Sequence, residues 1–211
     1  MRAAVPPNPV RERRSARSWI AGLSALLLGL TGIALGASPA WADLGDPGQI
    51  TLNKTVDLQK AITASPGDTF TYGLLVGCDD NPCIDAVLDD QLPPEFAGFT
   101  IESVQVSPPS APVTAALTGC TVGGAVTASC LLHADFQAPL GDLGGTPQFG
   151  IAAGVTYRVN VQLTVPLGLS PSWAYNAVPV DNTAVADAET SVTPATDSAT
   201  VTVQVPVVVA V

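Results

Sequence analysis

Residues 178–188 read Val178-Pro179-Val180-Asp181-Asn182-Thr183-Ala184-Val185-Ala186-Asp187-Ala188. Successive side chains of a strand point to opposite faces, so a period of two with one apolar phase marks a half-buried strand. One phase here is Val178, Val180, Asn182, Ala184, Ala186 and Ala188, opposite Asp181, Thr183 and Asp187, with Val185 as the exception. The segment extends back to Ala174, and similar alternation runs through Gln49–Val56, Asp68–Gly77, Ile84–Leu92, Gly98–Val106, Val113–Val122, Ala125–His133, Gly154–Val165 and Ser198–Val205. Breaks fall at Ser65-Pro66-Gly67, Leu92-Pro93-Pro94, Pro108-Pro109, Gly144-Gly145 and Pro166 to Pro171. Aromatic residues make up 5% and charged residues 12% of the chain, which leaves little material for amphipathic helices. The pattern predicts an all-β fold, an immunoglobulin-like antiparallel β-sandwich preceded by a signal peptide, with an up-and-down barrel as the alternative.

The N-terminus has the order of an export signal. Arg11 to Arg17 form a basic region, Ile20 to Gly36 an apolar one, and Ala40-Trp41-Ala42 a small-x-small cleavage site before Asp43. An uncleaved anchor is the competing reading, and the Gly content, Pro39 and the cleavage site favour removal. The residues after Arg13-Arg14 do not extend a twin-arginine motif. The chain thus divides into a signal peptide at 1–42, a sandwich repeat domain at 43–206, and the start of a linker or next module at 207–211. The Val-Pro-Val run from Val205 resembles a stiff linker into a further repeat domain. The expected location is secreted or at a bacterial cell surface, with no membrane association after signal cleavage.

Setting the signal aside exposes the acidity of the rest. Lys54, Lys60 and Arg158 stand against 17 acids, a formal charge of −14. Such a surface repels phosphate backbones and anionic membranes, so nucleic acid is excluded as a partner. Four cysteines after the cleavage site fit an oxidising compartment. Cys120 and Cys130 flank a stretch with Gly123-Gly124 placed as a hairpin turn, and Cys78 and Cys83 close a short polar loop, so the expected bridges are Cys78–Cys83 and Cys120–Cys130. A four-cysteine zinc site is disfavoured because the chain has no Cys-x-x-Cys pair.

Three polar residues break the core-facing phase. In the first strand the phase is Ile50, Leu52, Lys54, Val56; in the third it is Ile84, Ala86, Leu88, Asp90, Leu92; in the quoted strand it contains Asn182. A buried lysine, carboxyl and amide are each costly unless they meet one another. Together they have the chemistry of an intramolecular isopeptide bond. Burial favours a neutral, nucleophilic amine and a protonated carboxyl that shuttles protons between amine and leaving ammonia. The product would join Lys54 to Asn182, with Asp90 as the assisting acid. The alternative is that Lys54 snorkels at a strand end, Asp90 caps the turn before Pro93 and Asn182 is an ordinary strand residue.

The order of several short elements carries a family likeness. Leu52-Asn53-Lys54-Thr55-Val56 is followed by Ser65-Pro66-Gly67-Asp68-Thr69-Phe70-Thr71-Tyr72 and by Leu88-Asp89-Asp90-Gln91-Leu92-Pro93. The cysteine hairpin, the stretch from Tyr157 to Pro166 and Asn182-Thr183-Ala184-Val185 complete the series. The chain from Gln49 to Val205 resembles a bacterial repeat domain of unknown function, the eleventh so numbered, found in secreted and wall-anchored proteins. That resemblance implies a module similar to those of adhesins and pilins, in which a first-strand Lys, a last-strand Asn and an acid form isopeptide bonds. Carried onto this sequence, the implied trio is again Lys54, Asp90 and Asn182. The Cys78–Cys83 loop and the length of 118–154 depart from the usual repeat.

The leading expectation is therefore an extracellular structural or adhesive module, a stalk or spacer. The alternative is a module that binds a carbohydrate or an extracellular protein through its loops, with Trp173 and Tyr175 as the candidate aromatic pair. An enzyme is not expected. The single histidine, His133, is placed at a strand end without a nucleophile in motif context. Asp79, Asp80, Asp85 and Asp89 lack the glycine and spacing of a calcium loop, so neither metal nor cofactor is called for.

Overall fold

The computed structural model describes residues 47–207. The expected signal peptide and all but Val207 of the expected linker lie outside the described residues. Thirteen strands follow in order: β1 (Ile50–Val56), β2 (Ala61–Ala64), β3 (Thr69–Cys78), β4 (Cys83–Ile84), β5 (Val87–Gln91), β6 (Thr100–Ser107), β7 (Val113–Thr118), β8 (Leu131–Phe136), β9 (Ala138–Leu143), β10 (Thr146–Ile151), β11 (Thr156–Thr164), β12 (Pro179–Asp187) and β13 (Ala195–Val203). One sheet has the order β1-β3-β11-β6, a second β2-β13-β12-β5-β8-β7, and a small third sheet β4-β10-β9. Every pairing is antiparallel except β2 with β13. The fold is the all-β sandwich that the alternation predicts.

The two large sheets share one core. The first contributes Phe70, Tyr72, Leu74 and Val76 from β3 with Val159, Val161 and Leu163 from β11. The second contributes Leu88, Leu132, Ala134, Ala184, Ala186, Val201 and Val203. Burial follows the sequence phase through β12, where the pattern alternates over all nine residues and Val185 is 39% exposed. Phe70, Phe96 and Phe99 close one end of the sandwich, with Phe96 and Phe99 stacked at 4.9 Å.

Turn chemistry explains the expected breaks. Pro66-Gly67 sits inside a turn closed by the Asp68 N–H on the Ser65 carbonyl, and Gly67 has φ of 90°, which a side chain would resist. Gly144-Gly145 proves to be more than a break. Thr146 pairs directly with Leu143, so the two glycines, both at positive φ, form the two-residue loop of a β9–β10 hairpin. Pro139, Gly141 and Pro147 within that hairpin obscure its alternation in the sequence. β2 is likewise absent from the expected strands, being only four residues long.

The cysteine hairpin needs correction. Both expected bridges form, with Cα–Cα distances of 5.9 Å for Cys78–Cys83 and 5.1 Å for Cys120–Cys130. However, β7 stops at Thr118 and β8 begins at Leu131, so Cys120–Cys130 ties the base of a long connection rather than two paired strands. That connection instead bonds to the chain leading into β6, through Gly98 N–H to Val126 O, Val126 N–H to Phe99 O and Ile101 N–H to Gly124 O. Burial of Val126 and Cys130 against the end of the core favours this course over a regular hairpin. β12 also starts later than expected, at Pro179 rather than Ala174.

Within the small sheet β10 approaches β4 so closely that a Cβ on Gly150 would lie 1.9 Å from the Cys83 carbonyl oxygen, at a φ of 151°. Gly150→Ala is expected to destabilise the domain by roughly 1–3 kcal/mol, the cost of overpacking. Chemical denaturation measures it, and an unchanged midpoint would contradict the close approach.

Candidate functional site

The inward phase of three strands brings Lys54, Asp90 and Asn182 together between the sheets. Lys54 comes from β1 of the first sheet, Asp90 from β5 and Asn182 from β12 of the second. Each is 0% exposed, and they are the buried polar or charged residues among the described ones. Asp90 lies across the ladder from Ala184, and Asn182 from Ala199. These small neighbours leave depth in the second sheet for the lysine to extend into.

One carboxylate joins the other two groups. The Lys54 Nζ donates to Asp90 Oδ1 at 2.6 Å, and the Asn182 Nδ2 donates to Asp90 Oδ2 at 3.4 Å. Burial lowers the Lys54 pKa to about 8, against the opposing pull of Asp90. The same burial raises that of Asp90, opposed by the Lys54 charge and by hydrogen bonds from Lys54 and Asn182. A pKa of about 8 leaves roughly one Lys54 in ten neutral at pH 7. The arrangement thus supplies a partly neutral amine, an amide, and a carboxyl that contacts the nitrogen of each.

Further residues shape the site that strand phase alone did not single out. Tyr72 on β3 lies beneath the amine, with Lys54 Nζ 4.8 Å from the ring centroid. The Lys54 N–H donates to Asp197 Oδ2 of β13 at 2.6 Å, and Lys60 Nζ donates to the Lys54 carbonyl at 2.6 Å and to Asp197. Hydrogen bonds from Lys60, Lys54 and Ser198 hold the Asp197 pKa below the ordinary value although its burial alone would raise it. Both backbone polar groups of Lys54 are therefore held by side chains. Tyr72 was hidden because an aromatic residue on a core phase reads as packing. Asp197 precedes the expected final strand and carried no signal there.

The other candidates lie elsewhere. Trp173 is partly buried against Phe99, with ring centroids 6.1 Å apart, and meets Tyr175 edge-on at 5.6 Å. Most of the indole is thus engaged in packing, while Tyr175 is 38% exposed. His133 is not at a strand end: it sits within β8 opposite Asp89, with Nδ1 2.7 Å from Asp89 and Nε2 3.2 Å from Asp135. The Asp89 hydrogen bond is the main cause of its raised pKa. Of the four acids considered for calcium, Asp79 accepts the Gln49 N–H and Asp89 meets His133.

No family model matches the chain, and no curated protein matches it. Solved structures with a similar strand layout include a cohesin module in complex with a dockerin, at TM-score 0.41 and 11% identity, covering 74% of this chain and 100% of that one. A cohesin module from a Clostridium perfringens family 33 glycoside hydrolase gives TM-score 0.37 and 15% identity, covering 76% and 99%. An adhesin of Streptococcus sanguinis gives TM-score 0.29 and 12% identity, covering 76% and 57%. At TM-scores this low the likeness says nothing of function.

The lowered lysine pKa has a stability consequence, read most simply without the Asn182 amide. In the Asn182→Ala background, the unfolded state binds more protons at position 54 than the native state once the pH exceeds about 8. Unfolding free energy is therefore expected to rise from pH about 8 until roughly pH 10, where unfolded tyrosines begin to lose their protons. Adding Lys54→Met should abolish the rise. Urea titrations across this window measure both, and a rise that survives Lys54→Met would refute the assignment.

Proposed function

We propose that this domain is an extracellular structural or adhesive surface module, a stalk or spacer, whose two sheets become joined by an isopeptide bond between Lys54 and Asn182. The observation that carries the reading is the Asp90 carboxylate, which holds the prospective nucleophile on one oxygen and the prospective leaving nitrogen on the other. The two expected disulfides support an oxidising location, where such domains persist. The strongly acidic surface keeps a secreted domain soluble.

The reaction needs no outside reagent. Asp90 takes a proton from the Lys54 ammonium through Oδ1, and the neutral amine adds to Asn182 Cγ, placing an oxyanion on Oδ1 of the amide. Asp90 passes that proton to Nδ2, the oxyanion collapses to a carbonyl as the Cγ–Nδ2 bond breaks and ammonia departs, and Asp90 takes the surplus proton left on Nζ. Holding the amine and amide together in one dry site removes the entropy cost of a bimolecular encounter. The reactive form of the pair carries one shared proton. With two protons there is no neutral amine, and with none there is no acid for the leaving group.

The cross-link would enclose the chain from position 54 to position 182 and tie one sheet to the other. By the chain-entropy argument for cross-links, a loop of this length disfavours the unfolded state by about 5 kcal/mol. Endurance against unfolding and proteolysis is the property such a module gains.

Intact mass of the purified, reduced protein is expected to be short by one ammonia, and Asp90→Ala should restore the full mass. A wild-type chain of full mass would end the proposal. The rate of ammonia loss during folding should be bell-shaped in pH, with its alkaline limb near the Lys54 pKa of about 8.

A further inference from the structure

Two buried polar atoms in the core lack a hydrogen-bond partner among the described residues: the Tyr72 hydroxyl and Asn182 Oδ1. Both belong to residues that are 0% exposed. Buried polar atoms are nearly always paired, so two orphans in one site ask for an explanation. Phenylalanine would fill the core equally well without the unpaired hydroxyl.

We infer that Tyr72 is a catalytic residue of the cross-linking reaction, its hydroxyl donating to Asn182 Oδ1 as that atom becomes an oxyanion. The inference rests on the Lys54–Asn182 reading and adds a part which that reading lacks. Asp90 has each oxygen committed to a nitrogen, Oδ1 to Lys54 and Oδ2 to Nδ2, so the arrangement provides no carboxyl donor for the amide oxygen. A second donor is needed where negative charge develops. Tyr72 is placed for this, since its ring lies under the attacking amine and its hydroxyl, like Asn182 Oδ1, is buried in this site without a partner. No well-formed hydrogen bond yet joins the two groups. A bond absent in the ground state and made as charge appears lowers the barrier without stabilising the reactant. Burial foremost, then the Asp90 and Asp181 charges, raise the phenol pKa, so the hydroxyl keeps its proton throughout the working range. The oxyanion gains a donor and the phenol loses nothing. Its proton stays on oxygen while the Cγ–Nδ2 bond breaks.

The test follows ammonia loss by intact mass as the mature chain, made by cell-free synthesis, folds in oxidising buffer. Tyr72→Phe keeps the ring beneath Lys54 and removes the donor. It is expected to slow the loss roughly 100-fold, in line with removal of one oxyanion donor. Both disulfides should still form, and the denaturation midpoint in an Asn182→Ala background should not fall. An unchanged rate in Tyr72→Phe overturns the role of Tyr72 and leaves the bond standing. A wild-type chain that never loses ammonia overturns both. Should Tyr72→Phe misfold, as free thiols would reveal, 3-fluorotyrosine at position 72 provides the same test, because its more acidic hydroxyl is a stronger donor. Faster loss than with tyrosine supports the inference, and an equal rate refutes it.

Discussion

A lysine and an aspartate removed from water face each other across the middle of the sandwich, and much of the structure answers to that placement. Each charge alone would be strongly disfavoured in the core, and their contact offsets only part of the cost. The pKa values of both groups move toward the neutral forms as a result. The surroundings supply what a stable fold would rarely assemble by packing alone: an amide on the second carboxylate oxygen, an aromatic face under the amine, and alanines that leave depth. Apolar residues of similar volume would hold the sheets together at least as well, so the pair is not explained by reinforcement of the core.

The edge of the first sheet is organised around the same residue. β1 pairs only with β3, so its other side carries backbone groups with no strand to meet. At Lys54 those groups are taken by Asp197 and Lys60, and at Ile50 the N–H is taken by the Ser191 hydroxyl. Both lysines of the chain thus meet at one position, one through its ammonium in the core and the other through its ammonium on the edge. A strand held at this point cannot slide in register without breaking a charged contact, and the buried amine stays aligned with Asp90.

Strand phase was enough to isolate Lys54, Asp90 and Asn182, because a polar residue in an apolar phase is a local signal that survives without knowledge of the partner strands. It could not reveal Tyr72, whose hydroxyl is distinguished only by lacking a partner. Nor could it reveal Asp197, whose role depends on β13 lying beside β1. The sandwich itself was legible from alternation and turn residues. The course of 119–130 was not, since a pair of glycines marks a turn equally well in a hairpin and in a connection that leaves its sheet. The β9–β10 hairpin escaped for a related reason: proline and glycine within it broke the alternation that identified the longer strands.

The parallel pairing of β2 with β13 has a mechanical reading. β13 runs in the same direction as β2 and also beside β1, with Ile50 near Ser191 and Lys54 near Asp197. Tension applied at Ile50 and at Val203 therefore pulls neighbouring strands past each other lengthwise. The side-chain bonds that hold β1 to its neighbour, loaded in that shear geometry, must yield together, whereas bonds loaded crosswise open one after another like a zipper. Forced unfolding is governed by the height of that barrier rather than by equilibrium stability. With Lys54 bonded to Asn182, the load would pass from one sheet to the other at that point, and everything between positions 54 and 182 would be shielded from it. Only the short run from Ile50 to Asn53 on one side, and β12 beyond Asn182 with β13 on the other, would remain free to give.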